Sequence, residues 1–315
     1  MAAIQTRSLT KRFGDVVAVR DLDLTVEAGE VYGFLGPNGA GKSTTINLLL
    51  DFMRPTEGSA TVLGHDAQTE SRTVRERVGI LPEGYSLYDR LTGREHLSFT
   101  VDAKDAADDP DALLERVGLS AEEAERRVGG YSKGMTQRLA LGCALVGDPD
   151  LLVLDEPSSG LDPHGIQQMR EILRAEADRG TAVFFSSHIL SEVEAVCDRV
   201  GIMNEGELVA ENTVEGLREM SDATSQLLLD VERVPTDLDL TAVDGVSSVT
   251  ADGERLRVAF SDPAAKAAAV ERVNAATRVT DIESEEASLE DLFTSYTTED
   301  EAADDAVEAP AEVSA

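Results

Sequence analysis

Gly36-Pro37-Asn38-Gly39-Ala40-Gly41-Lys42-Ser43-Thr44 fits the spacing G-x-x-x-x-G-K-[ST]. The apolar run Val31-Tyr32-Gly33-Phe34-Leu35 precedes it, and Thr45-Ile46-Asn47-Leu48-Leu49-Leu50 follows. A strand, a glycine-rich loop and a helix form the context in which this spacing reads as a phosphate-binding P-loop. Glycines at 36, 39 and 41 let the backbone wrap an anion without Cβ clashes, so successive N–H groups can face its oxygens. The helix that follows adds its positive N-terminal end. Lys42 is expected to reach the β- and γ-phosphates, and the Ser43 hydroxyl is placed to ligate Mg²⁺. A glycine-rich turn with a surface lysine is the plain alternative, and the rest of the chain argues against it.

The chain has 315 residues, which suggests about two domains and enough length for a sizeable core. No run of about 18 apolar residues occurs, and Met1–Arg7 lacks the apolar stretch of a signal peptide. The expectation is a cytoplasmic protein that neither crosses a membrane nor is exported. Cys143 and Cys197 have no CxxC spacing and read as structural thiols. The formal charge is −33, from 61 acids against 28 bases. Such a chain repels nucleic acid, so a DNA or RNA partner is not expected. A field of this strength is screened within about 3 Å at 1 M salt, which points to the salt-rich cytosol of a halophilic archaeon. The stretch 299–315 carries seven acids and no base, so most of the excess lies on the folded part.

Residues 4–27 read as strands, at Ile4–Leu9, Val16–Val19 and Leu22–Val26, with Phe13 in a turn between the first two. Phe13 by itself reads as a packing residue. Further strands are expected at Ser59–Leu63 and at Val78–Glu83, the latter stopped by Pro82. From about 85 to 147 the pattern is helical, at Gly93–Leu97, Asp111–Val117 and Ala121–Arg127, with an acidic loop at Asp102–Asp109. Ser132 is well placed as an N-cap for the helix that runs to Gly147. Leu151-Leu152-Val153-Leu154 reads as a buried parallel strand that delivers Asp155 and Glu156 at its carboxyl end. Ala182–Ser186 is a second such strand, with His188 just past its end. In open α/β sheets that edge is where ligands bind, so both carboxylates and His188 are assigned to function. Helix 189–197 and strand 199–203 complete the first domain near residue 220. Residues 221–297 read as a small α+β module: strands Gln226–Glu232, Val246–Ala251 and Arg255–Phe260, a helix Pro263–Ala276, and a last segment Ser288–Phe293. The acidic tail 298–315 is expected to be disordered.

In this order the motifs resemble those of the ATP-binding cassette (ABC) ATPases over roughly residues 4–220. The P-loop is Gly36–Thr44, the signature Tyr131-Ser132-Lys133-Gly134-Met135, the Walker B strand Leu151–Glu156, the D-loop Ser159-Gly160-Leu161-Asp162, and the switch histidine His188. Three positions depart from the family pattern. Glu83 stands where glutamine is usual, and Lys133 and Met135 replace glycine and glutamine in the signature. The resemblance implies an α/β fold: a P-loop NTPase cassette with a mixed-sheet core, an antiparallel β subdomain and a helical subdomain at about 84–147. The C-terminal α+β module follows it.

The resemblance also implies roles. ATP is bound by Gly36, Asn38, Gly39, Gly41, Lys42, Ser43 and Thr44, with Phe13 stacking on adenine. Mg²⁺ is held by Ser43, Glu83 and, through water, Asp155. Glu156 is the general base and His188 contacts the γ-phosphate. Ser132 and Gly134 bind the γ-phosphate of a second subunit, with Asp162 at the same closing interface. Two cassettes, expected as a homodimer although a heterodimer stays open, would close around two ATP molecules. They would drive a separate integral-membrane permease from the inner face of the membrane, most closely in the manner of an ABC-2 type exporter. An ATPase serving copper-site maturation of nitrous oxide reductase is similar in Leu81–Glu83 and Tyr131–Met135. Non-transport cassettes acting on ribosomes or DNA are disfavoured by the single cassette, the charge and the short gap from Ser43 to Asp155.

Overall fold

The computed structural model describes residues 2–220, 225–235, 238–260 and 264–285. The chain divides into two compact units, Met1–Val214 and Glu215–Ala315.

The first unit starts with β1 (Ala2–Phe13), β2 (Val16–Leu22) and β3 (Thr25–Glu27). The expected strand Leu22–Val26 is therefore divided. Leu22 closes β2 opposite Leu9, and the Thr6 hydroxyl donates to Leu22 O at 2.7 Å and accepts from Leu24 N at 2.9 Å at the break. Next come β4 (Val31–Leu35), α1 (Lys42–Leu49), β5 (Glu57–Val62), β6 (His65–Asp66), α2 (Ser71–Glu76) and β7 (Val78–Leu81). The antiparallel sheet has the order β2-β1-β5-β6, with β3 paired to β1.

Helices fill the next stretch, but not from its beginning. Residues 84–92 are turns and irregular chain rather than helix. The first helix is α3 (Gly93–Ala103), whose start is set by a capping box: Thr92 Oγ1 accepts from Glu95 N at 3.2 Å while Glu95 accepts from Thr92 N at 2.8 Å. Then follow α4 (Pro110–Arg116), α5 (Ala121–Ala124) and α6 (Lys133–Leu145).

The second sheet is completed by β8 (Leu151–Asp155), α7 (Pro163–Asp178), β9 (Ala182–Ser187), α8 (Leu190–Glu194), β10 (Arg199–Asn204) and β11 (Glu207–Thr213), with α9 (Val214–Met220) after it. The expected helix 189–197 is shorter than its pattern. Strand β11 was not foreseen, because an edge strand with the sequence ELVAENT lacks a continuous apolar run. The order is β11-β10-β4-β9-β8-β7, parallel throughout except for the β10–β11 pair. Every residue of β4, β8 and β9 is buried, which is why these strands read as unbroken apolar runs. At their centre Phe184 packs on Tyr32 and Phe34, with ring centroids 5.8 and 5.2 Å apart. Parallel strands all end on the same edge. The register sets Leu35 beside Ser187, Ser186 beside Asp155, and Leu154 beside Leu81. The P-loop, His188, Glu156 and Glu83 therefore leave the sheet side by side.

In the second unit, β12 (Ser225–Val231), β13 (Val246–Asp252), β14 (Arg255–Phe260), α10 (Ala265–Ala276) and β15 (Val279–Glu285) form a sheet of order β13-β14-β12-β15 with one helix. Leu227, Leu229, Val258 and Phe260 share a core with Ala265, Ala269 and Val273 of α10. Strand β15 was missed because V-T-D-I-E-S-E places little of its surface in that core. The segment Ser288–Phe293 and the tail 298–315 lie outside the described residues. Cys143 and Cys197 are free, and burial pushes both thiols up. Among the described residues no helix is long and apolar enough to cross a membrane.

Candidate active site

At the carboxyl edge of the parallel sheet lies a pocket of about 450 Å³. Its floor is the loop after β4, through Asn38, Gly39, Gly41, Lys42, Ser43 and Thr44, and Glu83, Glu156 and His188 complete its walls. The loop can take its path only with glycine at the tight points. Gly41 has φ +105°, and a Cβ there would run into the carbonyl oxygen of Ala18; a Cβ on Gly36 would meet the Met203 carbonyl. Ala18 and Ser159 also line the pocket. Ser159 opens the D-loop, whereas Ala18 was not singled out by sequence reasoning, since alanine carries no motif signal.

A lysine, a glutamate and a histidine converge here. The Lys42 ammonium is 6% exposed and donates to Gly36 O at 2.7 Å and Pro37 O at 3.2 Å, with Glu156 Oε1 at 3.6 Å. The other Glu156 oxygen lies 2.7 Å from His188 Nδ1. An Nδ1–H donated to that carboxylate leaves Nε2 as the ring nitrogen for another partner. Glu156 is a non-glycine residue at φ +50°, a conformation that costs of order 1–3 kcal/mol and persists only where the surroundings hold it. Ser186 does so. Its hydroxyl accepts from Glu156 N at 3.0 Å and donates to Asp155 Oδ1 at 2.5 Å, so one buried side chain on β9 holds the Asp155 carboxylate and the backbone of Glu156.

The sequence-expected residues do not all meet. Asp155 is buried and lines an adjoining pocket of about 570 Å³ together with Glu83, Glu156 and Lys133. Ser43, Glu83 and Asp155 offer only hard oxygen donors, the kind that suits Mg²⁺. Phe13 stands at the end of β1 rather than in the turn itself, half-exposed, with Lys11 Nζ 5.1 Å from its ring centre. It does not line the pocket, although Ala18 from the next strand does. Asp162 caps α7, accepting from Gly165 N at 2.8 Å. Ser132 caps α6, accepting from Met135 N at 3.2 Å, and Gly134 faces Leu161 of the D-loop. Lys133 crosses to that loop as well, its Nζ filling the space that a side chain on Gly160 would need.

One further link ties α6 to the carboxylates. Gln137, 5% exposed, donates its amide to Pro157 O and accepts from the Tyr85 hydroxyl at 2.7 Å. It joins the signature helix, the segment after Glu83 and the turn after Glu156. Its partners lie 20 and 52 residues away, so nothing local in the sequence marks it.

The arrangement of a P-loop, a buried lysine, a strand-end carboxylate and a histidine bonded to it suits a phosphoanhydride and an attacking water. Comparison with known proteins agrees. Residues 19–159 match the ABC transporter family. An uncharacterised ABC transporter ATP-binding protein of Nostoc is 45% identical over 64% of this chain, and the match spans 62% of its own length. The bacitracin transport ATP-binding protein of Bacillus licheniformis is 42% identical, covering 68% of this chain and 71% of that protein. The Nod factor export ATP-binding protein I of Burkholderia lata is also 42% identical, over 70% and 73% of the two chains. Among solved structures, the ATP-binding subunit of an ABC transporter superposes with a TM-score of 0.62 at 29% identity, covering 69% of this chain and 92% of that one. With its P-loop pocket built as above and relatives of this identity over more than two thirds of their length, the chain belongs to the ABC transporter family, among its ATP-binding subunits.

Proposed function

We propose that this chain hydrolyses ATP and uses the energy to drive a separate membrane permease, in a system of the ABC-2 export type. The observation that carries the reading is the contact chain Lys42–Glu156–His188 across the mouth of the P-loop. Lys42 neutralises charge on the β- and γ-phosphates. Glu156 takes a proton from the attacking water, and His188, held against Glu156, contacts the γ-phosphate. Ser43, Glu83 and, through water, Asp155 would hold Mg²⁺, which when bound neutralises charge on the phosphate oxygens.

The second half of each site comes from another copy. Ser132 and Gly134 stand at the N-terminus of α6, where backbone N–H groups favour an anion, and the γ-phosphate of a partner's ATP is the one they would receive. Two copies closing head-to-tail complete two sites, with Asp162 at the interface. Phe13, half-exposed at the end of β1, serves as the adenine-stacking aromatic. Support for export is the likeness to a Nod factor export protein, and the acidic surface belongs to a cytosol of high salt. The cargo is set by the permease.

Glu156→Gln keeps the shape but removes the base. Phosphate release should fall by about 10²–10⁴-fold while ATP binding remains, and size-exclusion chromatography with ATP should show a trapped dimer. Turnover equal to wild type would refute the assignment of Glu156. Diluting salt from molar to about 0.1 M should lower the melting temperature, because acid–acid repulsion is then unscreened. A melting temperature that ignores salt would remove the halophilic reading.

A further inference from the structure

Behind the pocket a second carboxylate is buried that the reaction as described does not use. Glu192 on α8 is 4% exposed. One of its oxygens, Oε2, accepts from the Ser158 hydroxyl and from the Ser187 hydroxyl, the latter at 3.1 Å. The other, Oε1, is buried with no hydrogen-bond partner. An apolar side chain would fill the same place without the desolvation cost of a carboxylate, so packing does not explain its presence.

What it holds does. Ser158 lies in the turn that follows Glu156, and Ser187 directly precedes His188. The Ser187 hydroxyl also accepts from Ile189 N at 2.9 Å, closing the turn that carries His188, and its backbone carbonyl accepts from Gly36 N at 3.3 Å. One carboxylate oxygen thus joins the loop after Glu156 to the loop bearing His188, and through Ser187 to the start of the P-loop. The 2.7 Å contact between Glu156 and His188 spans these same two loops.

We propose that Glu192 is a positioning residue for hydrolysis: by bridging Ser158 and Ser187 it sets the separation of the loops that carry Glu156 and His188. The inference rests on the reading that Glu156 and His188 act on ATP. It has a consequence for which property of Glu192 matters. Two hydroxyl donors need an acceptor oxygen at that point, and charge is not required. Glutamine can place its carbonyl oxygen where Oε2 is and its amide where the unpartnered Oε1 is, whereas leucine removes the bridge and keeps the bulk.

The test uses the full chain in molar salt and reads phosphate release as kcat and KM, binding of a fluorescent ATP analogue, and Tm. Glu192→Leu should lower kcat about tenfold, the scale of a displaced reacting group, with nucleotide affinity within about twofold of wild type. Glu192→Gln should recover most of that loss. Ser158→Ala, a smaller change that serves should Glu192→Leu not fold, should lower kcat several-fold with the same unchanged affinity. In a His188→Ala background Glu192→Leu should cost less than in the wild type, because only one of the two loops it joins then carries an acting side chain. Wild-type kcat in folded Glu192→Leu or Ser158→Ala would overturn the proposal. So would kcat and affinity falling together in step with Tm, or Glu192→Gln behaving as leucine does. The underlying reading fails separately, if Glu156→Gln and His188→Ala themselves leave turnover intact.

Discussion

The nucleotide pocket and the C-terminal sheet place their ion pairs in opposite settings. In the pocket Lys42 and Glu156, 6% and 10% exposed, stand 3.6 Å apart with further bonds to carbonyls and to His188. In the sheet Arg255 grips Asp230 by two bonds of 2.6 and 2.8 Å on adjacent strands, yet the two side chains are 46% and 33% exposed. The sheet pair has the better geometry and the smaller consequence, because water screens it. The pocket pair is looser but largely buried, so each group depends more on the other. The sheet instead is held by an apolar core of Leu227, Leu229, Val258 and Phe260 under α10. Geometry alone does not rank an ion pair; burial does.

Three substitutions sharpen this contrast. The largest effect is expected from Leu229→Ala, fully buried in the sheet, which should cost about 2–5 kcal/mol in a denaturant melt of the C-terminal unit while ATP affinity stays unchanged. A parallel loss of ATP affinity would mean that the two units are not independent in the way their separate cores imply. Next is Ser186→Ala in the pocket. It leaves Asp155 Oδ1 and the Glu156 N–H without their partner, at about 1–3 kcal/mol, and frees a backbone held at φ +50°. Turnover should fall with it, and a variant with normal turnover would show that Glu156 is held by other means. The smallest is Asp230→Ala, whose thermal melt should match wild type within scatter; a clear drop in Tm would overturn the ranking of the two pairs.

Much of the nucleotide unit was legible because its signals are local. Gly36 and Gly41 are dictated by backbone approaches, Ser132 by a helix start, and Leu151–Leu154 by burial on both faces of a sheet. Where the period was weak the reading slipped. Strands β11 and β15 escape it because edge strands need no apolar run, while the helix expected from Gly93 does begin there, behind the cap at Thr92. In the site, Lys42, Ser43, Glu83, Glu156 and His188 line one pocket, while Phe13, Ser132, Gly134 and Asp162 lie off it.

What the sequence by itself determined, then, is the chemistry: a phosphate loop, a lysine, two strand-end carboxylates and a histidine, each announced by spacing along a few residues. Which groups aim and restrain them was decided only by the tertiary structure. Ser186 reaches Asp155 from 31 residues away, Gln137 reaches Tyr85 from 52, and Glu192 reaches Ser158 from 34. A serine, a glutamine or a glutamate in such a role has no periodicity or motif of its own. The parallel sheet brings the ends of β4, β7, β8 and β9 to one edge, and only there do these side chains meet what they hold.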